Sequence, residues 1–92
     1  KIAPSDIEQA VLGYEGVADC ACVAQNTQEY IQVPLLYIVC SKANFDIQKL
    51  QKYLEQRLES YKVPKEIIPI DKIPRTATGK ILRKFLTFPP KS

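Results

Sequence analysis

The sequence predicts a small α+β domain in which two to three helices pack on a three-stranded, mainly antiparallel sheet. Apolar residues recur at helical spacing in residues 4–14 and 47–60. Strand-like apolar runs occupy residues 17–24, 31–41 and 66–71. A chain of 92 residues is long enough for one such domain and too short for two. The expected order of elements is therefore α-β-β-α-β, followed by a short C-terminal helix.

The first helix is expected to begin at Pro4, because proline suits the first turn, where its missing amide hydrogen leaves no bond unmade. Ser5 and Glu8 have the spacing of a capping box, in which two side chains satisfy backbone amides at a helix start. The strand over residues 17–24 carries only small side chains on one face, as close packing against a helix requires. Those small residues are Ala18, Cys20, Cys22 and Ala24.

A polar stretch at residues 25–29 separates the first two strands and predicts an antiparallel hairpin, with Pro34 near a strand start or an edge. Asp46 is the expected N-cap of the second helix, and Pro64 prevents that helix from continuing. In the third strand, Pro69 indicates an edge or a bulge. The apolar stripe of the second helix consists of Ile47, Leu50, Leu54, Leu58 and Tyr61.

The last part of the chain is expected to be less regular. Residues 73–80 are rich in turn-forming residues and predict a loop, and residues 81–86 predict a helical turn or two. We expect the domain to span residues 1–88, with residues 89–92 forming a tail.

Two residue types are missing, and their absence narrows the chemistry. The chain begins at Lys1 and contains no methionine, which indicates an excerpt of a longer translation product. It also contains no histidine, so it has no Ser-His or Cys-His nucleophile pair and lacks the commonest general base. No apolar run approaches the roughly 20 residues that a membrane span requires, so we expect no transmembrane segment.

The three cysteines are Cys20, Cys22 and Cys40, an odd number at spacings that fit no disulfide framework. Because the chain has no histidine and no second cysteine pair, C-x-C is also a poor zinc signal. We therefore expect no metal site, and we interpret the cysteines as small apolar core residues of a protein in the reducing cytoplasm.

The positive charge of the chain is concentrated near its C-terminus. Residues 1–61 contain five Lys/Arg against eight Asp/Glu, a net charge of −3, whereas residues 62–92 contain eight against two, a net charge of +6. This asymmetry indicates an anionic partner for the C-terminal part, and we expect the charge to surround the loop that contains Lys80.

The loop itself has the composition of an anion-binding turn. A nucleotide P-loop is excluded, because it would need a glycine and a Ser/Thr where the chain has Pro74 and Ile81. Pro74 stiffens the start of the loop, Gly79 allows a tight turn, and Lys80 adds a long side chain that can lie between two anionic groups. From spacing alone, an ordinary solvated basic turn remains the alternative.

Three stretches of the chain also carry motifs of a known family. The string Pro-Arg-Thr-Ala-Thr-Gly-Lys-Ile-Leu-Arg at residues 74–83 is one of them. Residues 58–64 form the second, and residues 1–8 form the third. In this order they resemble the last signature motif, the motif before it and the start of the C-terminal domain of the adenylate-forming enzymes. Within that family the chain is most similar to acyl-CoA synthetases.

The resemblance implies that the chain is the small C-terminal lid domain of a two-domain ligase. Such an enzyme uses ATP and Mg²⁺ to activate a carboxylic acid as an acyl-adenylate and then transfers the acyl group to coenzyme A, as in fatty acid metabolism. The lid rotates between the two half-reactions. Its partner is the large N-terminal adenylation domain of the same chain, which carries the phosphate loop and the magnesium-binding glutamate. The fragment alone is therefore expected to bind no cofactor and to be inactive.

The resemblance also assigns site residues. Lys80 matches the family's catalytic lysine, which bridges the carboxylate and the α-phosphate during adenylation, and Thr78 and Gly79 would shape its loop. Four basic residues are candidates for contacts with phosphate or coenzyme A, although solvated or structural positions are alternatives for them. They are Lys62, Lys65, Arg83 and Lys84.

Three other functions remain open at this point. The first is the lid of a peptide-synthetase adenylation domain that loads a carrier protein, although such domains more often continue Gly-Lys-Val-Asp-Arg. The second is a nucleic-acid-binding module, which we do not expect because the chain lacks the helix-turn-helix, ribonucleoprotein and GxxG patterns. The third is a domain that only binds other proteins.

Overall fold

A three-stranded sheet forms the centre of the structure, a computed structural model that describes residues 2–29 and 31–86. The sheet has the order β1-β2-β3, with β1 at Val17–Asn26, β2 at Gln32–Cys40 and β3 at Glu66–Pro69. All three strands fall where the alternating and apolar runs predicted them. β1 and β3 are the two edges of the sheet.

The strands do not all run the same way. β1 and β2 are antiparallel, with Cys22 opposite Leu36, as expected for a hairpin. β3 runs parallel to β2, with Ile67 beside Leu36. A parallel strand requires a crossover connection, and helix α2 at Ile47–Arg57 lies in it. The sheet is thus mixed, its longer pairing is antiparallel, and the predicted α+β class is confirmed. Pro69 lies at the end of the edge strand β3, as predicted.

The helices begin where the sequence predicted and end earlier. α1 spans Pro4–Val11, and α2 is capped by Asp46, whose Oδ1 accepts a hydrogen bond from Lys49 N at 3.1 Å. Leu12 and Leu58, which follow the two helices, both have extended backbone conformations. A single 3₁₀ turn at Ser60–Lys62 follows α2. Apolar spacing overestimated both lengths, because residues beyond a helix can still face the core.

The capping box expected at Ser5 and Glu8 is not formed. The helix begins two residues earlier than a serine cap would allow, so the N-cap is Ala3, which makes no side-chain cap bond. Ser5 therefore lies inside the first turn. The Glu8 carboxylate instead contacts β1, where it accepts a hydrogen bond from the amide of Cys22 at 2.7 Å.

One face of the sheet packs against α1 and α2. Side chains from both helices and from alternate strand positions form a continuous apolar core on this side, which we call the helix-side core. Cys20 and Cys22 belong to it, as their place on the small-residue face of β1 predicted. Its buried members are Ile2, Ile7, Val11, Cys20, Cys22, Leu36, Ile38, Leu50, Leu54 and Ile67.

The opposite face is covered by the chain after β3, residues 70–86, which we call the C-terminal segment. The intervening strand positions and this segment form a second core that consists of Ala21, Leu35, Tyr37, Ile68, Ile73 and Leu86. Within the segment, the predicted helical turn is present as a 3₁₀ helix at Arg83–Phe85. The predicted tail at residues 89–92 lies outside the described residues. In the described part of the chain, neither helix has the length and hydrophobicity of a membrane span.

Candidate functional site

The loop that carries Lys80 is a tight turn closed by backbone hydrogen bonds. An antiparallel bridge joins Arg75 to Ile81 at its base. Thr76 N donates to the carbonyl of Lys80 at 2.9 Å, and Gly79 N donates to the carbonyl of Thr76 at 2.9 Å. These bonds fix the path of the backbone on both sides of the tip. The loop predicted over residues 73–80 is therefore ordered by its own contacts.

Threonine and glycine shape the tip in different ways. The Thr76 hydroxyl accepts a hydrogen bond from Lys80 N at 3.1 Å and lies 3.0 Å from the hydroxyl of Thr78. Gly79 has a φ of 94°, a conformation that residues with a Cβ rarely adopt. A Cβ built on Gly79 meets no atom within 4 Å, so backbone conformation and not space requires the glycine.

Lys80 lies at the end of this turn and is exposed to solvent. Within residues 2–29 and 31–86, no acidic group lies within ion-pair distance of Lys80 Nζ and no hydrogen bond holds it. A lysine ammonium is a compact charge with three donors, so it can contact two anionic groups at once. The arrangement therefore presents an exposed cation on a backbone that is held by hydrogen bonds.

Arg75 connects this loop to the sheet. Its Nη1 donates to the carbonyl of Gly79 at 2.6 Å. The same guanidinium forms a two-point pair with Asp19 of β1, with Nε–Oδ2 at 3.2 Å and Nη2–Oδ1 at 2.8 Å. The hydrogen bonds to Asp19 raise the pKa of Arg75 above its usual value. Neither residue was predicted as part of the site, although Asp19 is the one charged residue in an otherwise uncharged strand.

Arg83 anchors the chain after the loop. Its Nε donates to the carbonyl of Cys22 at 2.9 Å, and its Nη2 pairs with Glu8 Oε2 at 2.7 Å. The guanidinium therefore joins the C-terminal segment to β1 and to α1. This geometry favours the structural interpretation of Arg83 over a contact with phosphate.

Lys65, another of the basic candidates, does not lie beside Lys80. Lys65 N donates to the carbonyl of Pro34, near the start of β2, whereas Asp19 lies near the start of the antiparallel β1. Ala24, the partner of Pro34, lies five positions after Asp19 in β1. At the rise of a strand this distance is about 17 Å. The expectation that the C-terminal charge surrounds Lys80 is therefore wrong for Lys65.

Lys62 and Lys84 also have local contacts. Lys62 Nζ lies 3.4 Å from Glu59 Oε1 and 3.5 Å from Asp6 Oδ2, and the hydrogen bond to Glu59 raises the pKa of Lys62 above its usual value. These contacts join Lys62 to Glu59 and to the first turn of α1. Lys84 Nζ lies 5.3 Å from the centre of the Phe85 ring. In the described part of the chain, Lys62 and Arg83 are the candidates with an acidic partner, whereas Lys65, Lys80 and Lys84 have none.

The cysteine thiols are poorly suited to nucleophilic chemistry. Burial raises the pKa of Cys20 to about 11 and that of Cys22 to about 12, so both thiols are protonated at neutral pH. In the described ranges, all three cysteines are unpaired, and no three His, Cys, Asp or Glu side chains group as metal ligands would. The chemistry of this surface therefore rests on cationic side chains.

A small mixed sheet with helices on one face and a lysine-bearing loop on the other is the architecture of a known class of domains. The sequence profile of the AMP-binding enzyme C-terminal domain family matches residues 6–80. The chain belongs to this family, which confirms the resemblance found in the sequence. Among curated relatives, 2-succinylbenzoate–CoA ligase of Listeria monocytogenes is 39% identical over 85 residues, which are 92% of this chain and 18% of that protein.

Solved structures agree with this assignment. O-succinylbenzoate coenzyme A synthetase from Bacillus subtilis, in complex with AMP, matches with a TM-score of 0.84 and 30% identity over 98% of this chain and 18% of that one. The same synthetase has been solved with ATP and magnesium ion and with an acyl-adenylate intermediate. A fatty acyl CoA synthetase from Mycobacterium tuberculosis matches with a TM-score of 0.81 and 30% identity over 90% of this chain and 16% of that one. The chain thus spans less than a fifth of the length of these relatives.

Proposed function

We propose that this chain is the C-terminal domain of an acyl-CoA ligase, which activates a carboxylic acid with ATP and transfers the acyl group to coenzyme A. The observation that carries the proposal is the exposed Lys80 on an ordered turn, in a chain of the AMP-binding enzyme C-terminal domain family. The relatives named above are CoA ligases or synthetases, which favours coenzyme A over a carrier protein as the acceptor.

Adenylation brings two anions together. A carboxylate oxygen attacks the α-phosphorus of ATP, the bond to the departing pyrophosphate breaks, and an acyl-adenylate forms. The ammonium of Lys80 would lie between the carboxylate and the α-phosphate oxygens, reducing their repulsion and stabilising the charge that develops. Removing one such interaction typically costs about 3–4 kcal/mol of transition-state stabilisation, or roughly 10²–10³ in rate.

This domain is proposed to contribute a positioned positive charge, and the large domain is proposed to contribute the rest of the active site. The large domain is proposed to hold the magnesium ion that is bound with ATP, as the resemblance to adenylate-forming enzymes implies. Rotation of the domain between the two half-reactions is part of the proposal. Lys62, Lys65 and Lys84 are proposed only as secondary contacts for the phosphates of coenzyme A, in the second orientation.

The experiment uses the full-length protein that contains this domain and measures the two half-reactions separately. With Lys80→Ala, we expect carboxylate-dependent pyrophosphate exchange to fall by roughly 10²–10³, whereas coenzyme A transfer from preformed acyl-adenylate is largely retained. Lys72→Ala is the matched control, an exposed lysine of the same segment outside the turn. Equal loss of both half-reactions, or no loss, would show that the role given to Lys80 is wrong.

A further inference from the structure

The Lys80 turn has hydrogen bonds within itself and a separate side-chain contact with the sheet. The bonds among Thr76, Gly79 and Lys80 fix the internal shape of the turn. They do not fix where the tip lies relative to the rest of the domain. Arg75 makes a contact that does so from within the turn, because its guanidinium pairs with Asp19 of β1.

Asp19 is held in the sheet by the pairing of β1 with β2. It lies in β1 opposite Val39 of β2, next to an irregularity in the register at Val17. Its side chain points to the face of the sheet that the C-terminal segment covers. Asp19 and Arg75 are 33% and 35% exposed, so the pair is partly shielded from water and from screening by salt.

Arg75 joins Asp19 to the peptide unit next to Lys80. Two nitrogens of the guanidinium contact Asp19, and the third donates to the carbonyl of Gly79 at 2.6 Å. Only the planar fork of an arginine can make all three contacts at once, because a lysine ammonium is a single point. This contact joins the carbonyl of Gly79, at the tip, to the same guanidinium that pairs with the sheet.

We propose that Arg75 and Asp19 are positioning residues, which orient the Lys80 turn on the sheet for the adenylation step. The proposal rests on the function proposed above for Lys80. Neither residue needs to touch the substrate, since each acts through the placement of the turn. Misplacing a catalytic group by about 1 Å can reduce a rate by as much as about 10²-fold.

The test measures kinetics of the full-length protein with Arg75→Lys and Asp19→Asn. We expect each variant to lower kcat of adenylation by about 10- to 100-fold, with KM for ATP and coenzyme A transfer from preformed acyl-adenylate nearly unchanged. Asp19→Asn serves as a second variant because it leaves the turn's own sequence intact. Arg57→Lys is the matched control, an arginine of α2 whose guanidinium lies over the Tyr53 ring.

A double variant decides whether Arg75 acts through Lys80. In a Lys80→Ala background, Arg75→Lys should lower adenylation no further. A loss that persists in that background, an equal loss in both half-reactions, or unchanged kcat in the single variants would each overturn the positioning role. Failure of the proposed function would be seen separately, as normal adenylation by Lys80→Ala alone, and would overturn this inference with it.

Discussion

The two faces of the sheet are covered in different ways. On one side, α1 and α2 close the helix-side core with fully buried side chains such as Leu50 and Leu54. On the other, the C-terminal segment contains only one short 3₁₀ helix, and two arginines tie it to the strand β1. Apolar packing therefore determines the first side, and polar contacts over long sequence separations determine much of the second. The candidate site lies on the second side.

The largest expected loss of stability comes from a substitution in the helix-side core. Leu54 is completely buried in α2, so Leu54→Ala removes apolar contacts and leaves a cavity. We expect the free energy of unfolding to fall by about 2–5 kcal/mol. Urea denaturation followed by circular dichroism measures it. Leu12→Ala is the control, since Leu12 is half exposed and the same truncation there should change stability little. Equal losses in the two variants would contradict the role assigned to this core.

A smaller effect on the free energy of unfolding is expected at Glu8, which joins the helices on one face of the sheet to the C-terminal segment on the other. Its carboxylate side chain is only 12% exposed and accepts hydrogen bonds from Cys22 N and Arg83 Nη2, both at 2.7 Å. Glu8→Gln replaces a charged acceptor with a neutral amide, so we expect a loss of about 1–3 kcal/mol in unfolding experiments. The control is Glu15→Gln, which breaks the exposed pair with Lys42. If both substitutions have the same small effect, the anchor contributes no more than a surface pair.

The smallest effect appears only at alkaline pH. Burial raises the pKa of Cys22 from 9.0 to about 12, so above pH 9 the unfolded chain loses this proton first and the free energy of unfolding decreases. The stabilisation is complete below the unfolded pKa and is lost as pH rises towards the folded one. The slope is at most about 1.4 kcal/mol per pH unit for each thiol.

This prediction is checked by denaturation at two pH values. Between pH 8 and a pH of about 10.5, the decrease in stability should be smaller for Cys22→Ala than for the unsubstituted chain. Comparing the decrease, and not the stability itself, removes the effect of the substitution on packing. An identical decrease in the two proteins would mean that the buried thiol does not titrate as the structure implies.

The difference between the two sides also explains what the sequence could predict. Strands, helix starts and the Asp46 cap depend on residues close together in the chain, and these predictions were confirmed. The direction of β3 could not be read from its own residues, because strand direction depends on the path of the connection. The motif around Lys80 was recognisable because it is contiguous in sequence, and its catalytic role stays a prediction.

The anchors of the loop could not be found in this way. Asp19 and Arg75 are 56 positions apart, and Glu8 and Arg83 are 75 apart. Glu8 was predicted to form a capping box, because its spacing from Ser5 is a local pattern. The actual partners of its carboxylate are Cys22 in β1 and Arg83 in the C-terminal segment, which are distant in sequence. A lone acid in an uncharged strand is a usable signal, and Asp19 provided one. Such an acidic residue indicates that a basic side chain lies nearby, but it does not identify that basic residue.

The contacts along β1 have a further consequence for how molecules of this domain meet each other. An edge strand offers unpaired amides and carbonyls that can pair with a strand of another molecule. Here the amide of Cys20 donates to the Asp19 side chain, the amide of Cys22 donates to Glu8, and the carbonyl of Cys22 accepts from Arg83. The side chains that hold the C-terminal segment thus also bond the backbone groups of the edge strand with which a strand of another molecule would pair during aggregation.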